Sequence, residues 1–427
     1  MPKEDKFDVA IIGAGPAGIM SAIQAARKGL RVVLIEKNKQ LGKKLLLTGG
    51  GRCNLTNAEF SAQGEPASGW NLRNFVENYN KGEFLFHAFS IFGPKEVINF
   101  FNGLGVETKI ETGKRVFPKN EDSEEVLKAL EKELEKLGVK ILYNSEVVGA
   151  EFKNKKISKL FLKAKKYILC TGGKSYPKTG SDGFGFQLAE KLGHTIVKPS
   201  PALCPIRLSA QGGPASGWKN LQGISLKNIC INVLQNNKKK FSECGEILFT
   251  HYGISGPAIL NASGKIGALM ETGKTKISID LFPALNHQEV LKSFKEILQK
   301  YPKQTIKNIL SEFAQERLAE VLLDVVKIDR NKIGNNLSKI ERSAVVKILK
   351  NLEMTAEDVM GFDNAMATSG GISLKEIDHK TMKSKIIDNL FFAGEIIDVD
   401  GKTGGFNLQM CWSTGYIAGQ SLYTPEE

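Results

Sequence analysis

The apolar positions near the N-terminus change period within thirty residues. Phe7 to Ile12 is a short β-branched and apolar run, the pattern of a buried strand, and an Ala-rich stretch then repeats at helical spacing until Lys28 and Gly29. A second apolar run, Arg31 to Ile35, comes next. The predicted order is strand, tight turn, helix, strand. Much later, Tyr167 to Cys170 and Leu390 to Ala393 are again runs of strand length, ending in Thr171-Gly172-Gly173 and in Gly394-Glu395. After the last of these, an Ala- and Gly-bearing helix is predicted to run to about Ser421.

The first turn reads Gly13-Ala14-Gly15-Pro16-Ala17-Gly18. Gly13 permits the turn, Gly15 lets a pyrophosphate approach the backbone, and Gly18 lets the helix lie close to the strand. Amides of the opening helix, from Ala17 onward, then face the diphosphate. Glu36 closes the second strand, near the spacing at which an acidic residue takes the ribose hydroxyls. A carboxylate there disfavours a 2′-phosphate, so NADP is not expected in this site.

The residues beyond Glu36 separate FAD from NAD. Lys37 to Lys44 is basic and leads to Thr48-Gly49-Gly50-Gly51-Arg52-Cys53-Asn54, where the glycines suit neither helix nor strand interior. Gly50 and Gly51 are expected to wrap a planar ligand, with Arg52 on a phosphate or flavin edge and Cys53 and Asn54 beside it. At the other end, Glu395 is expected to take ribityl hydroxyls. Gly404 and Gly405 open the last helix, so that amides at Asn407 and Leu408 meet the flavin pyrimidine. Ser145 to Gly149 reads as a strand whose Val148 backbone touches adenine. In this order the segments predict a two-ended FAD site on an α/β, Rossmann-type domain of the glutathione-reductase kind.

Composition narrows the class. At 427 residues, with 41% apolar and 25% charged positions, the chain predicts an ordinary globular protein of two or three domains. The six cysteines are scattered without a CxxC pair, which argues against zinc and against a dithiol centre, and reduced thiols are expected. No metal is expected. There is no signal peptide and no run near the roughly 18 apolar residues of a membrane span, so a cytoplasmic protein without a membrane partner is expected. The net charge of +13 favours anionic ligands without choosing one, and Lys238 to Lys240 read as a solvated loop.

Four stretches carry a family resemblance: TGGGRCNLTN from Thr48, TGGKSYPKTGSDGFG from Thr171, FTHYGISGPAIL from Phe249, and FFAGEIIDVDGKTGGFNLQMCWSTGYIAG from Phe391. They resemble the bacterial NAD(P)/FAD-dependent oxidoreductases, also labelled the aminoacetone oxidase family, which include a dehydro-bile-acid reductase. The resemblance implies a FAD domain at 1–196 and 355–427, interrupted by a β-barrel-like subdomain at 197–285 and a helical subdomain at 286–354. Strands are expected to Pro283 and helices from His287 to Leu352. One element stands outside the family pattern: Ser61 to Trp70 and Ser209 to Trp218 differ only at Glu65 against Gly213, and predict two exposed loops.

Only one GxGxxG is followed by a helix and an acidic residue, so any NAD(P)H is expected to act as a transient reductant at the flavin. The expected chemistry is hydride transfer between FAD and a small or hydrophobic metabolite, as enone reduction or amine oxidation. Tyr176 and His251 are the candidate proton donors. Two alternatives are a flavin-dependent RNA-modifying enzyme and a non-catalytic flavin redox sensor. Nucleic acid is not the expected partner, because the lysine-rich segments read as lacking interleaved aromatic residues. Oligomeric state is left open.

Overall fold

The computed structural model describes residues 7–58, 72–209 and 220–422. Apart from Ser209, both copies of the SAQG repeat lie outside the described residues. Contacts divide the chain into two compact units, 1–201 with 365–427, and 202–364.

The first unit is built on a five-stranded parallel sheet. Its spatial order is Leu390–Phe392, Ala164–Leu169, Phe7–Ile12 (β1), Val32–Ile35 (β2) and Lys140–Leu142. Side chains on a strand alternate between faces, and here each face has its own core. Val9 and Ile11 point into one, Ala10 and Ile12 into the other, and Val32 and Leu34 divide from Val33 and Ile35 in the same way. Burial on both faces is why these strands read as continuous apolar runs. The helix Pro16–Arg27 (α1) joins β1 to β2, and the last helix, Phe406–Gln420, lies against it. Gly415 and Gly419 set that approach: a Cβ would stand 2.5 Å from the Ala17 carbonyl oxygen and 2.6 Å from that of Ser21. The C-terminal helix is thereby brought to the first turn of the chain.

Ser145 to Gly149 is not a strand. The sheet ends at Lys140–Leu142, and the next paired strands form a separate hairpin, Ala150–Lys153 with Lys156–Leu160.

The second unit contains a closed six-stranded antiparallel barrel. Around it run Ile206–Leu208, Gly253–Ser255, Lys238–Phe249, Ser225–Gln235, Thr275–Asp280 and Leu352–Val359. The boundary expected at 354 falls inside the last of these strands. A helix, Pro257–Thr272, interrupts the region expected to be strands, and its Ala258, Ile259, Ala262 and Ile266 belong to the barrel's core. Proline at its first turn and small residues after it favour that helix. Lys238 to Lys240 are exposed as expected, but they begin a strand rather than forming a loop. Helices His287–Lys300, Glu316–Val326 and Lys339–Lys350 complete this unit and share its core. The expectation of six reduced thiols is corrected: Cys230 and Cys244 face each other across adjacent strands, with Cα atoms 4.0 Å apart, and form a disulfide.

Candidate cofactor site

A cleft opens where the C-terminal ends of β1 and β2 meet α1 and the last helix. All of its lining residues come from the first unit, and they include Gly13, Gly15, Ala17, Glu36, Lys37, Thr171, Gly172, Gly394, Glu395, Asn407 and Leu408.

The turn after β1 is held from within. A Cβ at Gly18 would stand 1.9 Å from the Gly13 carbonyl oxygen, and one at Gly13 would stand 2.5 Å from that of Cys170. Gly15 differs, because a Cβ there would meet no protein atom within 4 Å. It needs no side chain only if something in the cleft approaches it. Gly15 also caps α1 without any side-chain hydrogen bond, which leaves the amides of the first turn directed outward. The Thr171 hydroxyl is buried and has no partner among the described residues. A bare glycine and an uncapped helix end together fit a diphosphate-bearing cofactor, whereas the Thr171 hydroxyl packs toward Gly185, behind the cleft wall.

Glu36 is 8% exposed and largely engaged. Its Oε2 accepts from the Ala14 amide at 2.9 Å, and its Oε1 from the Asn38 amide and side chain at 2.8 and 2.7 Å. A carboxylate has about four acceptor positions, so one remains for a ligand hydroxyl. Lys37 pairs with Asp182 at 2.6 Å on the cleft wall.

Across the cleft, Glu395, a residue expected from sequence, is a hub whose partners the sequence did not disclose. It accepts from Lys44 Nζ at 2.7 Å, the Ser175 hydroxyl at 3.1 Å and the Thr368 amide at 2.7 Å. The Thr368 hydroxyl in turn accepts from the Lys174 and Ser175 amides. Lys44 was visible only as one member of a basic stretch, and nothing local marks Thr368, Ser175 or Asn38. At the last helix, Gly405 is left-handed at φ +104 and offers no side-chain cap, so its first amides also face outward. The Asn407 side chain is spent on the Gly401 amide and carbonyl, at 2.9 and 2.8 Å.

Several expected contacts are not formed at the cleft. Val148 is 83% exposed, and it is Ser145, Glu146 and Val147 that line the wall. Gly50, Gly51, Arg52, Cys53 and Asn54 are not among the lining residues. Arg52 lies 4.1 Å from the centre of the Phe117 ring and pairs with Glu111 at 3.2 Å, which uses its charge elsewhere. Asn54, with its amide oriented to suit its neighbours, accepts from the Gly405 amide and donates to Thr56 and Val116, bracketing the start of the last helix. Gly173 and Gly404 are not among the lining residues either; a Cβ at Gly173 would stand 2.4 Å from the Thr368 hydroxyl oxygen. Burial pushes the thiols of Cys53 and Cys411 up to about 12, so neither is a nucleophile at neutral pH. Tyr176 is left-handed at φ +50 and opens the turn Pro177–Thr179 without lining the cleft. His251 belongs to the second unit, exposed in a turn closed by a 2.8 Å bond from Thr250 to Gly253, its ring 4.7 Å from that of Tyr252.

Fold and cleft define the class: an FAD-dependent oxidoreductase on a Rossmann-type FAD-binding domain. The chain belongs to the family described as the HI0933-like protein Rossmann domain, whose family model matches residues 7–421. It is 32% identical to the 3-dehydro-bile acid delta(4,6)-reductase of Clostridium scindens, over 97% of this chain and 98% of that one. It is 31% identical to a ribosomal RNA dihydrouridine synthase of Haemophilus influenzae, over 96% and 97% of the two chains. Among solved structures, a flavocytochrome c3 fumarate reductase in its open conformation aligns with a TM-score of 0.52 at 16% identity, over 98% of this chain and 78% of that one. A 3-ketosteroid-delta4-(5alpha)-dehydrogenase of Rhodococcus jostii RHA1 aligns at 0.51 and 15% identity, over 99% and 98%. At such identities these structures speak for the fold alone. Among the described residues no helix is long and apolar enough to cross a membrane, and no group of three or more potential ligands could hold a metal.

Proposed function

We propose that this protein reduces a carbon–carbon double bond conjugated to a carbonyl group, with FAD in the cleft and NADH or NADPH as transient reductant. One observation carries the reading: the two relatives, each aligned over nearly its whole length, are named for reactions that share this chemistry. A dienone and the 5,6-bond of uracil are both alkenes polarised by a carbonyl. When bound, FAD supplies a two-electron hydride carrier.

The chain's own residues supply binding and orientation. The amides of Ala17 and Gly18 would hold the diphosphate where Gly15 leaves room for it to approach. Glu36 gives its remaining acceptor position to a ribose hydroxyl. The Asn407 and Leu408 amides, at the positive end of the last helix, would meet the flavin's pyrimidine edge and favour negative charge on that side. Hydride delivery to one carbon requires a proton at its neighbour, and Tyr176 and His251 are the groups to test as its donor.

Anaerobic mixing of the FAD-loaded protein with NADH and with NADPH is expected to bleach the flavin band. Adding a conjugated enone or a uridine-containing RNA is then expected to restore it. Loss of the donor lowers the second phase about 10²-fold or more and leaves the first intact, so Y176F and H251A assign it. If neither nicotinamide bleaches bound flavin, the reductase reading fails. Between the two substrates, one surface favours RNA.

A further inference from the structure

We infer that the hairpin Ala150–Lys153/Lys156–Leu160 is a docking surface for the phosphate backbone of RNA. The inference rests on the RNA form of the proposed reaction and names the surface that would hold such a substrate.

The hairpin leaves the cleft wall directly, three residues after Val147. Lys153, Lys155, Lys156, Lys159 and Lys163 are all exposed and have no carboxylate partner among the described residues, whereas Lys165 beside them pairs with Asp8 at 3.0 Å. The carboxylates around it are Glu151 on the hairpin, Glu146 on the cleft wall, Asp8 on Lys165, and Asp388, whose amide donates to the Lys155 carbonyl at 2.8 Å; the lysines outnumber them. Positive charge therefore predominates. Phe152 and Phe161 stand 48% and 43% exposed among these lysines, supplying the aromatic faces on which unpaired bases stack.

Two features of the backbone run against stability and so point to an external return. Lys153 is paired directly with Lys156 across the hairpin, and like charges in that position repel. At the tip, Asn154 and Lys155 are both left-handed, at φ +51 and +59. Asn-Gly is the favoured pair for such a turn, and here the glycine position carries a lysine that projects a cation at the apex. The hairpin is nonetheless firmly mounted. Ile157 and Leu160 are buried beneath it, and the buried Asn389 side chain accepts from the Ile157 amide and donates to its carbonyl, both at 2.9 Å. A self-repelling array of lysines on an anchored hairpin, with two exposed rings, suits a polyanion carrying planar bases better than it suits solvent.

The test uses full-length, FAD-loaded protein and a fluorescein-labelled RNA stem-loop with a uridine-rich loop, read by anisotropy over a range of salt. K155E/K156E/K159E is expected to weaken binding at least about tenfold and to flatten the salt dependence by about 0.7 to 0.9 per lysine. F152S/F161S is expected to weaken binding without changing that slope. K155R/K156R/K159R should bind as the wild type does, which separates charge from fold. Failure of the wild type to retain RNA, undiminished binding by the glutamate variant, or binding to phosphatidylserine vesicles in place of RNA would each overturn the inference. Flavin bleaching by nicotinamide and reoxidation by a small enone are measured on the same variants. If both persist while RNA binding is absent, the docking surface is refuted and the reductase stands; RNA retained through the lysines with no flavin reduction refutes the reductase alone.

Discussion

Three glycines in one turn do three different things, and the difference can be measured. Gly13 and Gly18 are required by neighbouring carbonyls, whereas Gly15 is required by nothing in the protein. G18A is therefore expected to unfold or severely destabilise the chain, because backbone must move to admit the methyl. G15A should keep the melting temperature of the FAD-free protein and lose flavin occupancy, read as the ratio of visible to protein absorbance. A G15A protein that retained full FAD would remove this turn from the cofactor site. The sequence motif announced all three positions but could not rank them, since it does not state what lies opposite each Cβ. The same blindness hid Lys44. Its partner Glu395 is distant in sequence and has a side chain only 11% exposed, so K44M strands a buried charge and should cost about 3–5 kcal/mol. Adding E395Q to K44M should recover much of that loss in thermal melts.

At the scale of elements, one carboxylate pins the centre of the parallel sheet. Asp8 on β1 accepts from the Arg31 amide at 3.0 Å and from its side chain at 3.3 Å, just before β2, and pairs with Lys165 on the strand at its other side. Burial raises its pKa, but the hydrogen bonds from the Arg31 amide, Lys165 and the Arg31 side chain outweigh that and hold it at about 2, against an ordinary 3.8. A depressed carboxylate contributes its stability above the unfolded pKa and loses it as pH falls through the folded one. D8N should therefore be less stable than the wild type at pH 7, with a shallower loss between about pH 4 and 2. Parallel denaturation curves at stepped pH check both parts; equal slopes in that window would refute the assignment. The strands themselves were legible because burial on both faces writes an unbroken apolar run. Pro257–Thr272 was not, because its small and apolar residues carry little helical contrast between strands. Val148 was misplaced for a related reason: an extended segment beside a sheet has the composition of a strand and lacks only the partner.

For the molecule as a whole, the decisive feature is that its cores do not mix. One apolar cluster draws all its members from between Ile206 and Ala356, while the other two are drawn wholly from the first unit. The first unit is discontinuous in sequence and the second is a single stretch within it. Domains with separate cores can fold separately, and a ligand stabilises only the unit that binds it. Because every lining residue of the cleft lies in the first unit, removing FAD should lower one thermal transition and leave the other in place. At a hundredfold excess over Kd the shift corresponds to about 2.7 kcal/mol. Residues 202–364 expressed alone should give a cooperative melt at the FAD-independent temperature, with no flavin absorbance. A single transition in the full chain that moves as one with FAD would mean that the two cores are energetically coupled, and the domain-wise reading of the chain would then be wrong. The nucleotide-binding turn was legible because it is local, whereas the units become visible only once separate segments have closed around separate interiors.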